Sequence, residues 1–417
     1  MDKIILHCDL NSFYASVEML FEPKYREVPF AVGGSVESRH GIILAKNALA
    51  KKAGVSTGEP LWSAKQKCPD LVFCTPNFKR YLDFSKKVSD IFRDYTDEIE
   101  SFGIDESWLD VTKSVKLYGS GVEIAKLILR RVLDEVGLTI SIGISDNKIY
   151  SKLGSDLANA QEIVVIDRNS LETSIYPLPV DSLLFVGRKT KEKLLKYGIE
   201  SIGDLCQCSL EFLELRFKKW GRLLWQCAHG IDQEAVSHTN EKTMIKSIGN
   251  SVTAVHDLRD EKDLKIILYR LCESVCERLR EQSLVAYGMQ VSLRDYELNI
   301  VSKQEKLSYF VNDSQDAFNV AYRLVMSLFD DERPLRSLGV KLFELKQRPQ
   351  YIQANLFNEI NDVTNSRIDE AMSVIRRRFG QQSIGRAIML VDPSLSSFYP
   401  KTEHVIHPIA YLKSGIK

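Results

Sequence analysis

The sequence carries no excess charge of either sign: 56 lysines and arginines face 56 aspartates and glutamates over 417 residues. A global basic signature is therefore excluded, and any nucleic-acid surface must come from local arrangement. No apolar run reaches membrane length, and the one in the opening MDKIILHCDLN is too short for a signal peptide, so a cytoplasmic chain without membrane contact is expected. The eight cysteines form no Cys-x-x-Cys pair and have no matched histidine spacing. Cys206-x-Cys208 and Cys272-x3-Cys276 read as core thiols rather than zinc ligands, the second pair sharing a buried helix face. What is plentiful is apolar residue, 44% of a chain too long for one ordinary core, so several domains are expected.

Two stretches carry chemistry. Ser101–Thr112, SFGIDESWLDVT, sets the adjacent acids Asp105 and Glu106 between short apolar–polar alternations. Neighbouring side chains of a flat strand point to opposite faces, so these two converge on one cation only at a hairpin apex or an irregular bend. Alone, such a pair reads as a solvated turn, since turns favour Asp on local grounds. A third acid changes the balance: Asp9 ends the buried-strand run Lys3–Cys8 and precedes a helix start at Asn11-Ser12-Phe13-Tyr14. Two strands delivering three carboxylates beside a helix N-terminus is a layout that holds divalent metals against a phosphate.

The helix from Ser12 to about Phe21 has Phe13, Val17, Leu20 and Phe21 at core spacing, leaving Tyr14 and Glu18 on a neighbouring face, so Tyr14 borders the site. Gly41–Val55 reads as a strand running into a short helix that projects Lys46, Lys51 and Lys52, a basic face either solvated or turned to the phosphate site. Helices at Phe78–Tyr95 and Val122–Val136, the strand Thr139–Ile144 and a helix from Asn147 to Leu157 bearing Lys148 and Lys152 complete a ferredoxin-like α+β arrangement. Leu184–Leu205 has a helix–hairpin–helix pattern in which a turn at Gly187 beside Lys189 offers backbone N–H groups to a DNA phosphate. After a polar linker comes a further α/β region. Its helices fall at Asp263–Arg280 and Ser314–Phe329, and Met289, Val291 and Leu293 alternate with Gln290, Ser292 and Arg294 on a face open to solvent or to a nucleic-acid backbone. The last seventy or so residues hold a Pro-marked loop, a basic helix near Ser366–Phe379 whose Arg376, Arg377 and Arg378 read as solvated, and a short strand at Ala387–Val391.

These residues resemble the Y-family DNA polymerases, the translesion class, in order through about residue 346. The family's opening acid–x–(Asp or Asn)–x–aromatic–aromatic–Ala–x–Val–Glu signature is matched by DLNSFYASVE at Asp9–Glu18, and its Ser-x-Asp-Glu by IDESWLD at Ile104–Asp110. SIGISDNKIYSKLGSDLA matches the Ser-Ile-Gly strand and Lys-rich helix that follow. Asn11 and the fingers stretch LAKNALAK lean toward the UmuC side of the UmuC and DNA polymerase IV-like bacterial group.

The resemblance implies a right-hand polymerase: palm at 1–24 and 76–174, fingers at 25–75, helix–hairpin–helix thumb at 175–230, linker at 231–244, little finger at 245–346 and a C-terminal tail at 347–417. It implies lesion-bypass synthesis of low processivity in the DNA-damage response. Asp9, Asp105 and Glu106 would be catalytic and hold two Mg²⁺ ions with the Leu10 carbonyl as a further ligand. Asn11 and the backbone N–H groups of Ser12, Phe13 and Tyr14 would meet the dNTP, with Tyr14 the steric gate against a 2′-hydroxyl. Lys148, Lys152, Gly187, Lys189 and Arg294 would contact primer–template DNA. Gln353, Leu356 and Phe357 match the Q-x-x-L-F peptide that binds a bacterial sliding clamp, and the UmuC-like pattern brings in a UmuD-like accessory subunit beside an otherwise monomeric enzyme.

The chain departs from the family where the fingers usually carry Thr, Tyr and Arg, here Ala45, Ala48 and Lys51, and where a triphosphate lysine is usual, here Asn159. One or two charge-assisted contacts are missing, each worth about 1.5–3 kcal/mol, which leaves Lys46 and Lys51 to substitute. Two other classes compete. A nucleotidyl cyclase on the same palm has no use for the thumb hairpin or clamp peptide. A silent accessory protein binding DNA and the clamp would be expected to have lost a metal acid, and all three are present.

Overall fold

A computed structural model describes residues 3–34, 41–232, 234–238, 244–330, 332–349 and 361–398. They fall into two compact units, one taking in nearly all described residues up to 238 and the other those from 244 on.

The first unit is built on strands β1 (Ile5–Leu10), β2 (Phe30–Gly33), β3 (Ile43–Lys46), β4 (Val72–Cys74), β5 (Ile99–Ser101), β6 (Glu106–Asp110), β7 (Ile140–Ser145) and β8 (Ile163–Val165). Five of them form the central sheet in the order β5-β6-β1-β7-β8, antiparallel except for the β7–β8 pair. Strand β1 reads as an unbroken apolar run because both its faces are covered. Leu6, Cys8 and Leu10 enter a core with helices Phe13–Phe21, Phe78–Arg93 and Gly121–Arg131. Ile5, His7 and Asp9 point the other way, toward helix Lys148–Leu157, whose Ser155 bonds His7 and whose Lys152 bonds Asp9. That helix lies hard against β7: a β-carbon on Gly143 would sit 1.9 Å from the Ser151 carbonyl oxygen, so only glycine admits the approach. The ferredoxin-like α+β palm follows from these layers, and β1 extends beyond the expected Cys8 to include Asp9.

Strands β3-β2-β4 make a small second sheet, packed with two short helices around Ala31, Ile43, Val55, Leu61 and Leu71. Helices Arg188–Leu195, Ile202–Gln207, Leu210–Phe217 and Lys219–Ala228 form the expected helical unit. Its hairpin holds Phe185 at φ 71°, a left-handed conformation unusual for a bulky residue, with the side chain packed against the cluster of Ile5, Trp108 and Val236.

The second unit has strands β9 (Ser247–Leu258), β10 (Leu284–Asp295), β11 (Ile300–Val311) and β12 (Leu335–Gln347) in the order β11-β10-β12-β9. Helices Glu261–Glu281 and Ser314–Met326 cover one face, with Cys272 and Cys276 buried as expected. The tail differs from expectation. Helix Asn361–Phe379 packs back onto this unit, and Arg376 is not solvated: it is 6% exposed and pairs with Glu273 at 3.0 Å. Asp369 likewise receives Arg280 at 3.0 Å. Ala387–Leu390 is a 3₁₀ turn rather than a strand, with only Met389 buried. Among the described residues no helix is long and apolar enough to cross a membrane.

Candidate active site

Asp9 on β1 and Glu106 at the start of β6 are direct cross-strand partners, so both side chains leave the same face of the sheet. Asp105 precedes the strand in a bend. Its carbonyl accepts the Leu10 N–H at 3.0 Å, while the N–H groups of Phe102 and Gly103 return to the Glu106 carbonyl at 3.1 and 3.2 Å. Around that bend a β-carbon on Gly103 would lie 3.1 Å from Asp105 Oδ1 and 3.4 Å from Glu106 Oε1. The consecutive acids thus converge by the irregular-bend route.

Burial, with repulsion from the neighbouring acids, pushes the Asp9 and Asp105 carboxyls up to about 6 and raises Glu106 as well. The opposing charge comes from Lys152, whose ammonium lies 2.6 Å from Glu106 Oε2, 2.9 Å from Asp156 Oδ1 and 3.3 Å from Asp9 Oδ2. Burial works against that ammonium, but the three carboxylates outweigh it and hold it above the usual lysine range. His7 is fully buried and kept neutral by desolvation and by Lys152; its ring nitrogen Nδ1 is 2.7 Å from Ser155 Oγ and Nε2 is 3.5 Å from Glu106 Oε2.

Among the described residues no three His, Cys, Asp or Glu groups stand at a common ligand spacing. The carboxylates nevertheless already share one cationic group, the Lys152 ammonium, and they are hard oxygen donors of the kind Mg²⁺ takes. The donor set fits a divalent cation.

Helix Phe13–Phe21 begins next to Asp9 after Ser12, at φ 48°, and no side chain caps it, which leaves its first-turn N–H groups for an anion. Asn11 donates to Ser141 Oγ at 2.6 Å, and Ser141 in turn to the Asn159 carbonyl at 2.8 Å. The Asn159 amide is committed to Glu162 at 2.8 Å. Tyr14 stacks on Tyr81 with centroids 4.3 Å apart and planes 14° from parallel, and Phe78 meets it edge-on at 6.0 Å. Tyr81 is fixed from behind, its hydroxyl donating to buried Glu18 at 2.9 Å while Arg80 holds the other Glu18 oxygen at 2.8 Å. The sequence reading missed this backing; its only signal was the Phe78/Tyr81 spacing on one helix face.

Of the fingers residues, Ala45, like Tyr14, packs against the core cluster of the central sheet. Lys46 follows it on β3 and so takes the opposite face, its ammonium donating to Thr57 Oγ1 at 3.0 Å. Burial and the neighbouring charge of Lys51 lower its pKa. Two DNA contacts are corrected by burial. Lys148 is 1% exposed, with its ammonium 3.4 Å from Glu100 and over the Trp108 ring, so it faces the interior. Lys152 serves the carboxylate cluster rather than a DNA backbone. Gly187 and Lys189 are exposed at the N-terminus of helix Arg188–Leu195. In the second unit Arg294 is half-exposed on the polar face of β10, donating weakly to the Leu298 carbonyl at 3.4 Å. Gln353, Leu356 and Phe357 lie outside the described residues.

A model of the impB/mucB/samB family matches residues 8–156, and one of that family's C-terminal domain matches residues 245–356. DNA polymerase IV of Acetivibrio thermocellus is 43% identical over 399 residues, 95% of this chain and all of that protein. DNA polymerase IV 2 of Bacillus subtilis is 36% identical over 399 residues, 93% of this chain and 95% of that protein. Among solved structures, a Y-family DNA polymerase chimera built on Dbh has a TM-score of 0.72 at 26% identity, covering 82% of this chain and 99% of that one. An insertion ternary complex of Dbh DNA polymerase has a TM-score of 0.58 at 26% identity, with coverage of 82% and 99%. Both curated relatives carry the DNA polymerase IV name.

Proposed function

The chain belongs to the impB/mucB/samB family of Y-family translesion DNA polymerases, and we propose that its nucleotidyl transfer is carried by Asp9, Asp105 and Glu106. It is a DNA-directed DNA polymerase, and primer–template DNA and a dNTP are its substrates. The observation that carries the assignment is the cross-strand pairing of Asp9 with Glu106, with Asp105 in the adjoining bend and a cationic group already held between the strands.

Two Mg²⁺ ions would be held by Asp9, Asp105, Glu106 and the Leu10 carbonyl, and would supply Lewis-acid chemistry for the primer 3′-hydroxyl and charge neutralisation for the pyrophosphate. The residues of the chain do the rest. The first-turn N–H groups of helix Phe13–Phe21 orient the triphosphate, and Tyr14, braced by Tyr81, closes the space a 2′-hydroxyl would need. With Asn159 committed to Glu162, Lys51 is the fingers cation for the triphosphate, and Lys46 contributes on leaving Thr57. Gly187, Lys189 and Arg294 track the DNA backbone. The Gln353–Phe357 peptide is a sliding-clamp ligand, and a UmuD-like subunit is a further partner to test. A silent accessory role has no support, since the three acids are all present in a chain this similar to named polymerases.

Primer extension by the purified chain with Mg²⁺, on undamaged and lesion-bearing templates, tests the reading. Templated incorporation that continues past a lesion is expected. No incorporation, alone or with a clamp, would overturn it.

A further inference from the structure

We propose that His7 is a positioning residue for Glu106, fixing Oε2 of that carboxylate so that Oε1 is the oxygen turned toward the bound cation. The inference rests on the reading of Glu106 as a metal ligand. Oε2 is the oxygen that already meets the chain's own groups: the Lys152 ammonium at 2.6 Å and His7 Nε2 at 3.5 Å. Oε1 lies on the other side, toward the bend that carries Asp105, near the same Gly103 position that Asp105 Oδ1 approaches.

The imidazole cannot wander. Ser155 Oγ sits 2.7 Å from Nδ1, the Trp108 ring packs edge-on with centroids 5.1 Å apart, and Gly143 is its cross-strand neighbour on β7. Nε2 is nonetheless a buried nitrogen without a hydrogen-bond partner, a state that costs free energy unless some condition of the site relieves it. The Glu106 carboxylate lies within reach of it, Oε2 at 3.5 Å. With a divalent cation between the carboxylates the Lys152 ammonium would be repelled from Oε2, and His7, in the tautomer whose Nδ1 accepts from the Ser155 hydroxyl at 2.7 Å and whose Nε2 carries the proton, would be the group placed to donate there. The ring stays neutral, in that one tautomer. Groups that hold a metal ligand from behind in this way set its orientation and typically matter about 10–100-fold in metal affinity.

The test counts free Mn²⁺ by electron paramagnetic resonance over the full chain bound to a dideoxy-terminated primer–template. H7L should weaken Mn²⁺ binding about tenfold or more, with DNA affinity and the dNTP KM in saturating Mg²⁺ unchanged. H7Q, which returns a donor near the Nε2 position, should recover most of the loss, while H7N, whose amide reaches only the Nδ1 side, should not. Unchanged Mn²⁺ affinity in folded H7L, H7N equal to wild type, or H7Q as weak as H7L would overturn the proposal. E106Q separates the two levels: if it too leaves Mn²⁺ affinity unchanged, the reading of Glu106 as a ligand fails, whereas loss in E106Q without loss in H7L defeats only the role of His7.

Discussion

Lys152 places its ammonium 2.6 Å from Glu106 Oε2, closing a cluster of half-buried carboxylates with a cation from the chain itself. The site is therefore partly neutralised before any metal binds. Four acids, Asp9, Asp105, Glu106 and Asp156, and one lysine still leave excess negative charge in a poorly solvated place, and that has a measurable consequence.

Burial lifts Asp9 and Asp105 to about 6, above the ordinary carboxylate range near 4, so the folded protein holds their protons more tightly than the unfolded chain. Stability from these groups is fully present below about pH 4 and is lost as pH rises through about 6. In EDTA, Asp105→Asn should raise the melting temperature at pH 7.5, with the gain shrinking by pH 5. Mg²⁺ at pH 7.5 should stabilise the wild type more than the variant. Thermal melts across this pH range decide it, and a variant that melts with the wild type throughout would remove the electrostatic strain from the site.

Tyr14→Ala should increase ribonucleotide over deoxyribonucleotide incorporation about tenfold or more, a barrier change of ~1.4 kcal/mol, because the exclusion is steric and leaves with the ring. Tyr81→Ala removes the stacked support and should raise the same ratio by less. The quantity to compare is kcat/KM for the two sugars. An unchanged ratio in Tyr14→Ala would take that residue out of the gate.

Arg376 should behave unlike its neighbours. Its removal leaves buried Glu273 with weaker partners and should cost about 3 kcal/mol of stability in the second unit, whereas Arg377→Ala and Arg378→Ala should stay within about 0.5 kcal/mol. Chemical denaturation of the three variants separates them, and equal effects would mean that the Glu273 pair contributes nothing. By contrast, alanine at Lys51 should raise the dNTP KM without affecting stability.

Replacing Leu356 and Phe357 together by alanine should abolish sliding-clamp binding and the processivity it confers, since each apolar side chain is worth about 1.5–3 kcal/mol when buried in a partner. Insertion of a single nucleotide on a short primer should be unaltered. Titration of purified clamp against both proteins, with a melt of each, distinguishes this from self-packing: a lowered melting temperature with no clamp affinity in the wild type would withdraw the partner.

The acids were legible because the signature and the strand run marked Asp9 at a strand end beside a helix start, and because consecutive carboxylates converge only at a hairpin apex or a bend. The fates of the lysines were not legible. Lys148 and Lys152 sit one helical turn apart on a helix that composition alone makes basic and solvated; what buries them is Gly143 on β7, which lets the helix lie against the sheet. Arg376 stands in a run of three arginines, and its partner Glu273 is distant in sequence, so no local pattern announces the pair. Ala387–Leu390 is apolar enough for a strand but joins none of the four strands of the second unit's sheet, and it closes as a turn. Tyr81 was invisible as the brace of Tyr14 for the same reason of sequence distance.

As proposed metal ligands, Asp105 and Glu106 should act in the chemical step rather than in holding DNA. Single-turnover insertion by wild type, Asp105→Asn and Glu106→Gln, each with its primer–template affinity measured alongside, tests it most directly. Loss of several kcal/mol of charge stabilisation should slow insertion by about a thousandfold or more while DNA affinity stays within about twofold. Substantial insertion by both variants, or a loss of DNA binding that accounts for the loss of rate, would contradict the account.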